Sequence, residues 1–265
     1  MLIEPQLIAE LALLGICTGF LAGLLGIGGG MMMVPFVTII LTSKGYPAEY
    51  TVKMAVATSL ATICFTSLSS VRAHHRRGAV LWPIARVLAP GILVGALAGA
   101  QLAVALPGKV LSILFAIFVA FSATQMFLGR KPKPSRTMPG PAGTFGMGAL
   151  IGILSSLVGA GGAFVSVPFM TWCNVKIHDA VGTSAALGFP IALAGTLGYI
   201  WAGRNLPQMP GSVGYLYLPG LAVISLASIS LAPVGARTAH RMDIRPLRKV
   251  FAAMLYVLAA YFLLR

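Results

Sequence analysis

Two stretches of this chain, 133 residues apart, read as one pattern written twice. The first is GICTGFLAGLLGIGGGMMMVPFV from Gly15, and the second is GALIGILSSLVGAGGAFVSVPFM from Gly148. Gly15, Gly19, Gly26, Gly28, Gly29, Val34, Pro35 and Phe36 recur as Gly148, Gly152, Gly159, Gly161, Gly162, Val167, Pro168 and Phe169. Farther on, AVATSLA (55–61) is echoed by AVGTSAA (180–186), and Pro90-Gly91 by Pro219-Gly220. Glycine and proline set backbone angles, so a repeat that keeps them repeats the turns as well as the side chains. The expected organisation is one domain, 1–265, made of two homologous halves. Repeat 1 covers about 6–128 and repeat 2 about 143–265, joined by the basic, Pro-rich stretch GRKPKPSRTMPGP (129–141).

The halves are too apolar for water. Hydrophobic residues make up 58% of the chain and charged ones 9%, where soluble domains carry about a quarter charged. Most of the surface must therefore face lipid, which makes this an all-α membrane protein. Full-length candidate spans run roughly 6–26, 54–71, 82–104, 110–128, 180–201, 213–235 and 250–264. Residues 31–42 and 163–173 are shorter, contain a proline, and follow the glycine clusters. About 12 residues rise only about 18 Å, against a hydrocarbon core of about 30 Å. Each half then reads as a glycine-broken helical hairpin plus three spanning helices. The N-terminus, MLIEPQLIAE, lacks the basic region of a signal peptide, so the first helix is expected to stay in the protein.

The basic residues indicate how the halves are oriented. Arg72, Arg76 and Arg77 follow the TS helix of the first half, while the matching loop of the second has only Arg204. The next loop reverses this, with Lys109 alone in the first half against Arg237, Arg241, Arg245, Arg248 and Lys249 in the second. Cytoplasmic loops collect Lys and Arg, so equivalent loops are expected on opposite sides, as in inverted repeats. With hairpins that enter and return and with both termini outside, 14 of the 19 basic residues fall inside. A plain eight-pass topology splits them 10 to 9. The predicted location is the cytoplasmic (inner) membrane. The formal charge of +14 is not a nucleic-acid signature, because the basic residues occupy gaps between apolar stretches and form no wettable face.

The glycine clusters GIGGG (26–30) and GAGGA (159–163) are the candidate site. Consecutive glycines turn sharply and leave N–H groups open, and a helix starting there turns its positive end toward the turn. Such a place attracts anions without a buried lysine. In inverted-repeat transporters the broken helices meet near the midplane. The substrate-binding candidates are Gly28, Gly29, Gly30 and Met31 in the first half, and Gly161, Gly162 and Ala163 in the second. Gly15-x3-Gly19-x3-Gly23 and Gly91-x3-Gly95-x3-Gly99 are assigned to close helix packing instead.

Hydroxyls come next. Thr58, Ser59, Thr183 and Ser184 are candidate donors to an anion, with bonding to their own i−4 carbonyls as the competing role. Gln101 lies deep in a span and is either helix glue or a substrate contact. Glu10, the one acid placed about a turn inside a span, is the proton-coupling candidate, against an interfacial role. His178 and Asp179 form a proton relay or a helix cap. Lys53 and Arg86 are expected to snorkel to the interface. Cys17, Cys64 and Cys173 read as small packing residues, and His74, His75, His178 and His240 lack metal-site spacing. No metal and no cofactor is implied.

With these motifs placed, the chain resembles the TauE/SafE family of sulfite and organosulfur-anion transporters. The resemblance rests on GFLAGLLGIGGGMMMVP (19–35), its second copy GILSSLVGAGGAFVSVP (152–168), and the two TS helix starts. It implies a secondary transporter, with export of sulfite, a sulfonate or sulfoacetate as the leading expectation. Ala163 stands where the first copy has Gly30, so the half-sites need not bind equally.

The expected partners are a small anion and lipid, with a homo-oligomer left open. An anion channel is the nearest rival, although the helices show no continuous polar lining. An intramembrane enzyme lacks HExxH, GxSxG or paired central carboxylates, and no phosphate loop supports an ATP-driven pump. A membrane scaffold would need a soluble domain, which this chain lacks.

Overall fold

The computed structural model describes residues 5–25, 29–128, 135–207, 209–239 and 244–264. Among them the chain forms ten α-helices, five in each half. In the first half these are α1 (Pro5–Leu25), α2 (Gly30–Ser43), α3 (Ala48–His75), α4 (Trp82–Ala105) and α5 (Gly108–Leu128). In the second they are α6 (Pro141–Val158), α7 (Ala163–Trp172), α8 (Ile177–Ala202), α9 (Leu218–Ala239) and α10 (Ile244–Leu264). Six of them (α1, α3, α4, α5, α6 and α8) are long and apolar enough to cross a membrane. The α2 and α7 helices have 14 and 10 residues. At 1.5 Å per residue they fall short of a bilayer core.

Large apolar side chains cover the outside of the bundle. Leu13, Phe65, Leu97, Ile117, Leu197, Leu226 and Val257 are among the exposed ones. Water would penalise such a surface, whereas lipid tails accept it.

The packing partners exchange between halves. The α1 helix lies on α9, and its counterpart α6 lies on α4, the counterpart of α9. Likewise α2 packs on α3 and α7 on α8, while α3 meets α8 and α5 meets α10. Glycine permits the closest of these approaches. A methyl on Gly95 would stand 2.1 Å from the Ala149 carbonyl oxygen, and one on Gly19 would stand 2.5 Å from Ser228. The α3 helix is the central post, with every residue from Thr51 to Ile63 buried.

Several elements differ from the sequence reading: α6 is a span-length helix absent from the full-length spans expected there, and α10 begins at Ile244 rather than near 250. The α3 helix begins at Ala48 rather than near 54, because Glu49 and Lys53 are carried on its first turns. Residues 212–217 are not helical. They form a small antiparallel hairpin pairing Ser212 with Tyr217 and Val213 with Leu216. Gly214 begins its two-residue turn at φ 57°, a left-handed angle that favours glycine and suits such hairpins.

Candidate functional site

The second glycine turn is defined backbone atom by backbone atom. Gly159 ends α6 in a left-handed conformation (φ 70°), and its amide returns 2.9 Å to the Ser155 carbonyl. The Ala160 amide shares that carbonyl at 3.2 Å. Gly162, also left-handed (φ 75°), stands at the N-cap of α7. Its carbonyl accepts the amides of Val165 and Ser166. The amides of Gly161, Gly162, Ala163 and Phe164 are left with no acceptor among the described residues. These are the orphan donors that a helix N-terminus presents to an anion.

In the first turn, Gly29 caps α2 and its carbonyl accepts from Met32 and Met33. Gly30 and Met31 open the helix and are buried. Gly28 lies outside the described residues.

The two turns touch. A methyl built on Gly30 would stand 2.4 Å from the Gly159 carbonyl oxygen, so only a bare Cα fits between the backbones. Ser59 sits at this crossing. Its hydroxyl donates to the Gly159 carbonyl at 2.8 Å, with the Gly30 carbonyl 3.4 Å away. Ser184, the counterpart of Ser59, lies 2.7 Å from the Ser166 hydroxyl, which donates to the Gly162 carbonyl at 3.0 Å. Each TS serine therefore reaches the second turn, Ser59 directly and Ser184 through Ser166.

The neighbouring threonines hold the halves together. Thr58 accepts the amide of Tyr217, the residue preceding α9, at 3.1 Å, and donates to its own i−4 carbonyl at 2.7 Å. Thr183 accepts the amide of Leu81, the residue preceding α4, at 2.9 Å. Each threonine thus caps a helix of the opposite half, as an N3 side chain does in a capping box.

The other candidates lie away from the turns. Gln101 donates to the Gly198 carbonyl at 3.2 Å and ties α4 to α8. Glu10 accepts from Gln6 at 3.0 Å near the start of α1. His178 is exposed and Asp179 half-buried, both in the first turn of α8. Ala163 is half-buried at the start of α7.

Lys53 lies on the first turns of α3 and reaches toward the end of α4. The residue is 3% exposed, and its ammonium donates to the Val104 carbonyl at 2.8 Å, near the C-terminal end of α4. A cation suits that end of a helix, where unpaired carbonyls gather. Ser166 also went unnoticed in the sequence, because Met33 holds the equivalent place in the first half.

Among the described residues no group of three His, Cys, Asp or Glu side chains could hold a metal. The side chains nearest the described glycines of the turns are Thr18, Val34, Val56, Ser59, Ile63, Ile151, Ser155 and Ile191, with Ser166 bonded to the Gly162 carbonyl, and none of these is charged. An open depression of about 760 Å³ lies elsewhere, lined by Ser135, Arg136, Thr137, Pro139 and Asn174 beyond the C-terminal end of α7.

Long apolar helices, an apolar exterior and a buried pair of helix-start turns define a polytopic helical membrane protein with an internal polar centre. The chain belongs to the family described as sulfite exporter TauE/SafE, which it matches over residues 11–262. A Haemophilus influenzae relative described as a "Probable membrane transporter protein" is 34% identical over 249 residues, 93% of this chain and 94% of the relative. A relative of the same description from Methanocaldococcus jannaschii is 26% identical over 260 residues, 97% of this chain and 96% of its own. YdhB of Bacillus subtilis, again a "Probable membrane transporter protein", is 29% identical over 204 residues, 74% of this chain and 79% of its own. No solved structure matches the chain. The protein is a multi-pass membrane transporter of the TauE/SafE type.

Proposed function

We propose that the protein is a secondary transporter that exports sulfite or a small organosulfur anion across the cytoplasmic membrane by alternating access. The observation that carries this reading is the contact of the two glycine turns at Gly30 and Gly159, bridged by Ser59. Two breaks from separate halves meeting in the interior, with free amides at the second, are what a centrally held anion requires.

The halves act as inverted repeats in this reading. The exchange of packing partners fits two halves related by a two-fold axis, and the opposite charge bias of equivalent loops favours the inverted orientation. Both termini then lie outside, with the linker in the cytoplasm. Rocking of one half on the other, along the α3–α8 contact, would expose the turns to each side in turn.

Everted membrane vesicles from cells expressing the protein test this. Energised everted vesicles are expected to accumulate labelled sulfite or isethionate, and right-side-out vesicles are not. Accumulation only in right-side-out vesicles overturns the export direction. Ungated chloride currents across a planar bilayer overturn the transporter in favour of a channel.

A further inference from the structure

Ser155 is a buried hydroxyl with nothing to bond. It stands on the last turn of α6, 2% exposed, and its Oγ has no hydrogen-bond partner among the described residues. Its direction is known, because a methyl on Gly162 would stand 3.1 Å from that oxygen. The hydroxyl therefore faces Gly162, the residue that opens α7, whose amide is one of those without an acceptor among the described residues. A buried hydroxyl without a partner costs free energy, and native proteins keep few of them. The same position in the first half is Ala22, so the hydroxyl belongs to the second turn alone.

We infer that Ser155 is a specificity-determining residue, donating to an oxygen of a monoanionic sulfur oxyanion held by the amides of the second turn. This deepens the transport reading above and rests on it. The donors are a hydroxyl and backbone amides, all neutral, and none of the side chains nearest the glycines of the second turn is charged. Such a set satisfies several oxygens of one negative charge. A second negative charge would be buried without a counter-ion, which is strongly unfavourable. The subsite is therefore suited to a sulfonate or to hydrogensulfite, and it excludes sulfate. The anion is read mainly by the second half, since the first lacks the hydroxyl.

The test is calorimetric titration of the purified protein with isethionate, sulfite and sulfate. Wild type is expected to bind isethionate at any pH from 6 to 8, to bind sulfite more tightly as the pH falls through neutrality, and to ignore sulfate. Ser155→Ala is expected to melt no lower than wild type and to bind isethionate about tenfold more weakly, the loss of one charge-assisted hydrogen bond. Ser155→Cys keeps the size with a weaker donor, and the same weakening is expected. Unchanged affinity in both variants, with binding still lost in Gly161→Ala, overturns the role of Ser155 and leaves the glycine-turn site standing. Sulfate binding as tight as isethionate overturns the monoanion selectivity. Wild-type binding of none of the three overturns the transport reading as well.

Discussion

Ser59 on α3 donates its hydroxyl to the carbonyl of Gly159, 2.8 Å away and a hundred residues later in the chain. One hydroxyl thus joins the TS helix of the first half to the glycine turn of the second. Ser59→Ala leaves a buried carbonyl without this donor, a loss of about 1 kcal/mol. A fall in the melting temperature of the purified protein checks this, and Ser59→Ala with wild-type stability would contradict it. In the alternating-access reading the bond lies across the moving interface, so vesicle transport is expected to change along with stability.

The two threonines should behave as a symmetric pair. Thr58→Val and Thr183→Val each strand a backbone amide, that of Tyr217 or of Leu81. Each substitution is expected to cost about 1–3 kcal/mol of stability. Thr58→Ser and Thr183→Ser keep the acceptor and should recover most of it. Thermal unfolding of the four variants decides the matter. A transport defect without a stability loss would return these threonines to direct substrate contact.

Gly30 and Gly161 should separate packing from binding. Alanine at Gly30 would press its methyl against the Gly159 carbonyl at 2.4 Å, so a destabilisation of about 1–3 kcal/mol is expected. Alanine at Gly161 meets nothing nearer than an Ile63 methyl at 3.7 Å, and that glycine is not left-handed. Gly161→Ala should therefore fold as well as wild type, yet place a methyl among the free amides. Melting curves distinguish the two variants.

The inverted arrangement makes a prediction about sidedness. Lys109, Arg204, Arg76 and Lys176 are all exposed beyond helix ends or at their margins. In a background with Cys17, Cys64 and Cys173 changed to alanine, cysteines at 109 and 204 should react with an impermeant maleimide in intact cells. Cysteines at 76 and 176 should react only after permeabilisation. Labelling of 76 together with 109 from outside would contradict inverted repeats.

Much of the architecture was legible because it rests on patterns a sequence carries openly. The doubled glycine motif marks both turns, and the brevity of 31–42 and 163–173 marks α2 and α7. The hairpin at 212–217 was hidden because its residues are apolar enough to continue a span, and Gly214 breaks it through backbone angle alone. The site was less legible. A threonine in a helix gives no sign of which amide it accepts, so the cross-half roles of Thr58 and Thr183 needed the tertiary structure. Lys53 gives no sign in the sequence that its ammonium donates to the Val104 carbonyl. Ser155 looks like a small packing residue until its oxygen is found without a partner.

The central claim is that the second glycine turn, touching the first, binds a sulfur oxyanion. Thermal unfolding of wild type and Gly161→Ala in the presence of isethionate tests it most directly. A ligand that binds only the folded protein adds about 2.7 kcal/mol at a hundredfold excess over its dissociation constant. Wild type is expected to gain that stabilisation, and Gly161→Ala, equally stable without ligand, is expected to lose it. Equal stabilisation of both proteins by isethionate would place the anion elsewhere and contradict the account.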